Sequence, residues 1–113
     1  MMILNKNDFF TDETEKSAVS AIVNNPHGDT LAIEVIGDLG GGVLYLEGRN
    51  SKKAEWQNIA GVSLSTLDIA TEGITNAGLY EFPILSIRSL RTHIENNAGV
   101  VSVIGHIINS TEV

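Results

Sequence analysis

Between residues 30 and 36 the chain alternates, with Leu31, Ile33 and Val35 on one parity and Ala32, Glu34 and Ile36 on the other. A period of two is the pleat of a β-strand with one buried face. Breakers bound this segment on both sides. Asn24-Asn25-Pro26-His27-Gly28-Asp29 precedes it and Gly37-Asp38-Leu39-Gly40-Gly41-Gly42 follows it. Pro presets φ, Gly accepts positive φ, and Asn and Asp bond their own backbone, so both runs favour turns.

The same grammar recurs along the chain. Residues 43–47 read as the next strand, and the polar run Gly48-Arg49-Asn50-Ser51-Lys52-Lys53 as an exposed loop before a short strand at 55–59 that carries Trp56. Residues 62–69 read as another strand, in which the apolar parity changes near Thr66 as at a bulge or break. After the turn Thr75-Asn76-Ala77-Gly78, residues 79–82 form a strand that Pro83 ends or confines to an edge, and 84–89 form a helical turn or a bend. Residues 13–23 carry two signals. Thr11 followed by acids resembles a helix start, whereas Val19, Ala21 and Val23 alternate, and a strand is preferred.

Residues 90–94 and 100–108 flank Asn96-Asn97-Ala98-Gly99, which reads as a hairpin turn. A turn centred between Asn97 and Ala98 pairs Ile94 with Val101 and Thr92 with Val103. Leu90, Thr92 and Ile94 then share an apolar face with Val101, Val103, Gly105 and Ile107, while Arg91 and His93 share the polar face with Ser102, Ile104 and His106. His93 falls opposite Ser102, and His106 opposite Ser89. About seven or eight short strands, with turns roughly every 8 to 12 residues and no long helical pattern, predict an all-β fold, an antiparallel β-sandwich or jelly roll. The 113 residues fit a single domain. Residues 1–12 are expected as an N-terminal arm and 13–113 as the β-sandwich domain.

Composition excludes several classes. With no cysteine there is no disulfide framework and no thiolate metal site. A formal charge of −7 opposes phosphate backbones and anionic lipid, so neither nucleic acid nor membrane is expected as a partner. The N-terminus has no secretory apolar stretch, and no run approaches the roughly 18 residues that span a bilayer, so a soluble chain is expected. Asp8, Asp12, Glu13 and Glu15 crowd the N-terminal segment, either as a solvated face or as an electrostatic docking arm for a basic partner.

The three histidines have no HxH or HxxxH spacing, and His27 sits in a turn far from the others. No metal and no other cofactor is expected. Gly40-Gly41-Gly42 joins two strands and lacks a following Lys-Ser/Thr or GxGxxG context, so it is a loop rather than a phosphate cradle. No Gly-x-Ser-x-Gly elbow occurs, and an enzyme is not expected. Two groups remain as binding candidates. Phe9, Phe10, Asp12, Glu13 and Ile104 are candidates for partner contact, because they place apolar or acidic side chains outside the predicted core. Trp56 with Tyr45 and Tyr80 is the candidate platform for stacking on a sugar, against a packing role for the same rings. Arg88 and Arg91 flank Leu90 and suit a carboxylate partner.

One resemblance follows from the order of these pieces. A strand ending in Gly37, a Gly-rich loop, Val43-Leu44-Tyr45-Leu46-Glu47-Gly48, a polar loop, Trp56 and Ile59, then Gly78-Leu79-Tyr80, Leu90-Arg91-Thr92-His93-Ile94 and a closing strand from Gly99 to Gly105 make up the sequence of elements. It resembles the small β-sandwich proteins of tailed-phage virions, including head-decoration (cement) proteins and fibre modules. His93 stands where the second Arg of that family's Arg-x-Arg strand is found. The resemblance implies a non-enzymatic virion structural protein that binds the major capsid protein or another virion protein, stabilises the capsid surface as a homotrimer, and is assembled into the virion in the host cytoplasm. The alternative is a carbohydrate- or receptor-binding module of a phage fibre or baseplate.

Overall fold

The computed structural model describes residues 2–110, with side chains from Lys6 onward. Two antiparallel sheets face one another, and no helix occurs among the described residues. Sheet A runs in the order β1 (Met2–Glu13), β11 (Val101–Asn109), β4 (Thr30–Gly37), β9 (Gly78–Pro83), β7 (Gly61–Ser63) and β8 (Ile69–Ala70). Sheet B runs β2 (Ala18–Val19), β10 (Ser89–Glu95), β5 (Val43–Arg49) and β6 (Gln57–Ile59), with β3 (Val23–Asn24) also paired to β10. This is the antiparallel sandwich that the alternation predicts. Among the described residues the strand segments number eleven, because every sheet border except β1 is broken into pieces of two or three residues.

The core lies where the two inner faces meet. Sheet A contributes Leu31, Ile33 and Val35 from β4 and Val101, Val103 and Ile107 from β11; sheet B contributes Leu44 and Leu46 from β5 and Leu90 and Ile94 from β10. Each such side chain, fully buried, contributes roughly 1.5–3 kcal/mol, which is why strict alternation fixes the register. β11 breaks its apolar parity only at Gly105. A Cβ there would lie 2.5 Å from the Phe9 ring, so the missing side chain is the space that Phe9 fills.

Phe9 and Phe10 both point inward, although neighbours in a regular strand point apart. The register explains it: Asp8 pairs Ile104 and Phe10 pairs Val103, leaving Phe9 as the extra residue of a bulge. In the segment expected as an arm, β1 is hydrogen-bonded along β11 from Met2 onward, and Phe9 and Phe10 belong to the core. The side chains of Ile3 and Leu4, which the sequence also places outside the alternating region, lie outside the described residues. Residues 13–23 do form strand, but as two fragments along β10. Ser20 bridges the interruption: its N–H donates to the Thr92 carbonyl and its Oγ accepts from the Thr92 N–H, both at 2.9 Å.

The expected hairpin between 90–94 and 100–108 is not there. Ile94 pairs Leu44 and Ala18 in sheet B, whereas Val101 pairs Gly37 and Glu13 in sheet A, so the intervening residues form an arch between sheets. His93 pairs Tyr45 rather than Ser102, and His106 pairs Ala32 rather than Ser89. The arch is held by Asn97, which is 4% exposed. Its Nδ2 donates to the carbonyls of Glu13 and Glu15, and its Oδ1 accepts from Gly99 N–H. Bonds spent on the neighbouring connection cannot close a local hairpin. The predicted inner faces are nonetheless the buried ones, because β10 and β11 turn them toward the same core from opposite sides.

Residues 62–69, read as one strand, are instead a tight β7–β8 hairpin. Val62 pairs Ile69, and Leu67, at φ 62°, sits in the connecting turn. The parity change near Thr66 marks this turn. Residues 84–87 bend through one turn, with Ile87 N–H donating to the Ile84 carbonyl.

Candidate functional site

The two outer faces of the sandwich are chemically different. On sheet B, the alternation that buries Leu90, Thr92 and Ile94 turns Arg91, His93 and Glu95 outward, and β5 adds Tyr45, Glu47 and Arg49. Register places Arg91 beside Glu47 and His93 beside Tyr45. Arg91 Nε donates to Glu47 Oε1 at 2.7 Å, and His93 Nδ1 lies 3.4 Å from Glu47 Oε2 with Nε2 3.4 Å from Glu95 Oε1. Trp56, from the loop before β6, closes over this end of the face: the Arg49 and Arg91 guanidinium carbons lie 4.2 and 4.4 Å from its ring centroid.

Glu47 is 8% exposed despite its outward position. Its two oxygens are engaged by Arg91 and His93, so the cluster satisfies itself and stiffens the face. Of the three rings predicted as a stacking platform, Trp56 and Tyr45 share this outer face, with Tyr45 6.1 Å from the His93 ring. Tyr80 does not join them. It points into the core from β9, its hydroxyl donates to the Asn76 carbonyl at 2.8 Å, and burial raises its pKa above the ordinary value.

Sheet A presents the other face. Register lines up Asp8, Ile104, Glu34 and Leu79 across β1, β11, β4 and β9, with Ile36 in the adjacent row beside Ser102. Ile36, Leu79 and, toward the β8 edge, Ile69 are exposed, as is Leu64 just after β7, while Ile104 on β11 is half-buried. The face is thus a broken apolar band, with Asp8, Glu34, Ser102, His106 and Glu81 set between its apolar side chains. Of the residues predicted for partner contact, Ile104 lies in this band, Phe9 and Phe10 are in the core, and Asp12 and Glu13 sit at the end of β1. Asp12 N–H donates to Ser102 Oγ, and Glu13 Oε2 accepts from the N–H groups of Thr14 and Glu15.

Ile36 and Leu79 escaped the sequence reading. The signal was available in Ile104, an apolar residue on a polar parity, and the same test applied to β4 and β9 finds the other two. The Arg49–Trp56–Arg91 stack had no such signal, since it joins a loop to two strands whose pairing is not local. The histidines stand apart, His27 in a turn, His93 on sheet B and His106 on sheet A. Among the described residues no group of three or more His, Cys, Asp or Glu side chains is placed to hold a metal ion.

The fold is similar to that of the SPBc2 prophage-derived protein YomS. Its crystal structure matches with a TM-score of 0.79 over 91% of this chain and 90% of that chain, at 14% sequence identity. At that identity the likeness is one of fold, and the fold is one that a prophage encodes. No protein-family model and no curated protein sequence matches the chain.

Proposed function

We propose that this chain is a non-enzymatic structural protein of a phage virion that binds the capsid surface and stabilises it, as decoration proteins do. The observation that carries the reading is the outer face of sheet A, where Ile36 and Leu79 stay exposed around Glu34 and Ile69 stays exposed toward the β8 edge. Exposed apolar bands of this kind mark interaction surfaces. Strands of 2 to 12 residues, rising about 3.3 Å per residue and lying about 4.8 Å apart, give the whole sheet face roughly 630 Å², somewhat below the ~800 Å² that each partner gives to a standard interface. The prophage-encoded fold of the structural neighbour supports a phage origin.

The mechanism is passive. A protein that binds only the assembled shell stabilises it by mass action, and nothing has to be turned over. The partner in this reading is the major capsid protein or another virion protein. Quantitative mass spectrometry of purified virions tests it: the chain is expected in a fixed whole-number ratio to the major capsid protein, and its absence from washed particles would contradict the proposal. A second reading, a carbohydrate- or receptor-binding module, is favoured by one observation, the shared outer face of Tyr45 and Trp56. Glycan-array binding that disappears in Trp56→Ala would select it.

A further inference from the structure

The strand directions sort the charges along the sandwich. At the end where β1, β4 and β10 finish lie Asp12, Glu13, Glu15, Asp38 and Glu95, with Glu72 beside Val43, and among the described residues Lys16 and the imidazole of His93, 3.4 Å from Glu95, stand against them. At the opposite end, where β5 finishes and β10 begins, lie Arg49, Lys52, Lys53 and Arg88, with Asp29 and Glu55. None of those four cations is ion-paired among the described residues. A chain of net charge −7 therefore keeps an unneutralised basic corner.

That corner contains a cleft of about 380 Å³, lined by Asn24, Asn25, Asn50, Ser89, Lys52 and Arg88 among others. Its hydrogen-bonding sense is fixed. Asn50 Oδ1 accepts from the Arg88 N–H at 2.8 Å, which forces the amide oxygen inward to the protein and leaves its Nδ2 as a donor. Asn24 Oδ1 accepts from Ser89 Oγ at 2.9 Å in the same way. The lining thus combines Lys52 and Arg88 with two asparagines whose amide oxygens are already engaged, and the complement of a lining rich in donors is a carboxylate, which only accepts.

We propose that this cleft takes carboxylates from the acidic end of a second copy of this chain, so that copies join head to tail. Both halves of the complementarity are present on one molecule, and the acidic half is presented rigidly. Asn97 clamps the Glu13 and Glu15 carbonyls, and exposed Glu15 and Glu95 flank that clamp. The net repulsion between copies does not prevent contact: the screening length at physiological salt is about 8 Å, against a body 39 Å long. Ends that differ make a heterologous contact, which closes into a ring or continues as a row according to the rotation between copies. The inference stands apart from the virion reading, since it concerns the chain on its own.

Sedimentation velocity of the full chain tests it with two neutralising variants, Lys52→Gln/Arg88→Gln and Glu15→Gln/Glu95→Gln. All four positions are exposed, and circular dichroism superimposable on wild type shows that each variant is folded. The wild type is expected to associate at about 0.05 M NaCl and to weaken at least roughly tenfold by about 0.5 M. Each variant alone is expected to stay monomeric. Their equimolar mixture is expected to form dimers and nothing larger, because one variant keeps the cleft and the other keeps the acidic end. A wild type that is monomeric throughout, association that survives either pair of substitutions, or a mixture no heavier than its components would each overturn the proposal. Association that survives both pairs and is insensitive to salt would point instead to the apolar face of sheet A.

Discussion

The outer faces of the two sheets start from the same rule and end differently. In both, alternation sends every second side chain into the core and the remainder outward. On sheet B the outward residues of β5 and β10 find each other, Arg91 and His93 on Glu47 and two guanidiniums on Trp56, so the centre of the face is satisfied within the monomer and Val19 stays exposed at its β2 edge. On sheet A the outward residues include Ile36, Leu79 and Ile69, which remain exposed with nothing folded over them. A face that completes its own interactions serves stability. A face that leaves apolar area in water is the one that the proposed function assigns to docking.

Breaking that contrast at sheet A should have the largest consequence. Ile36→Asp combined with Leu79→Asp is expected to lower virion occupancy by more than about a hundredfold, as loss of central apolar contacts does. Monomer stability should change little, which thermal melting would check. On sheet B the expected effect is on stability: Glu47→Ala leaves Arg91 without its carboxylate and should cost about 1–3 kcal/mol in urea denaturation, with virion binding retained. Thr92→Val sharpens the comparison on the inner side. Thr92 is fully buried and its Oγ1 has no hydrogen-bond partner, so an isosteric methyl should stabilise the fold by about 1 kcal/mol.

The smallest effect concerns pH. Hydrogen bonds from Ser110 and Thr30 hold the Asp29 carboxyl below its ordinary pKa, tying the end of β11 to the turn before β4. A carboxyl with a depressed folded pKa contributes stability above its unfolded value of 3.8, and that contribution is lost as pH falls through the folded value. Asp29→Asn should therefore be slightly less stable than wild type near neutrality and show a shallower loss of stability below about pH 4, as acid titrations followed by circular dichroism would show.

How far the sequence could be read depended on whether a feature was local. Alternation in β4, β10 and β11 identified the strands and their faces, because parity is a property of consecutive residues, and β5 was read as a strand without a face. Parity cannot say which strand lies beside which. Leu90, Thr92 and Ile94 have the same pattern whether they pair with Val101 and Val103 or face them across a core, and what separates the two is non-local: the bonds of Asn97, that of Ala98 N–H to the Leu39 carbonyl, and the ladders with β5 and β4. The bulge at Phe9 was hidden for a related reason: two adjacent Phe residues look like surplus apolar surface until the empty position of Gly105, distant in sequence, is seen to receive one of them. The sheet A band was half legible, through Ile104 alone. The cluster around Glu47 was not legible, since it depends on a pairing of β5 with β10 across more than forty residues of sequence.

The central claim, that sheet A rather than sheet B is the docking face, can be tested directly because the chain has no cysteine of its own. Leu79→Cys places a thiol on the outer face of sheet A, and Val19→Cys places one on the outer face of sheet B, both at positions about half exposed. Maleimide labelling rates would be compared for the free chain and for the chain bound to purified virions. The account predicts that binding slows labelling at Leu79→Cys by tenfold or more, roughly the factor expected when an exposed side chain enters an interface core, and leaves Val19→Cys unchanged. Protection of Val19→Cys with Leu79→Cys still freely reactive would contradict it.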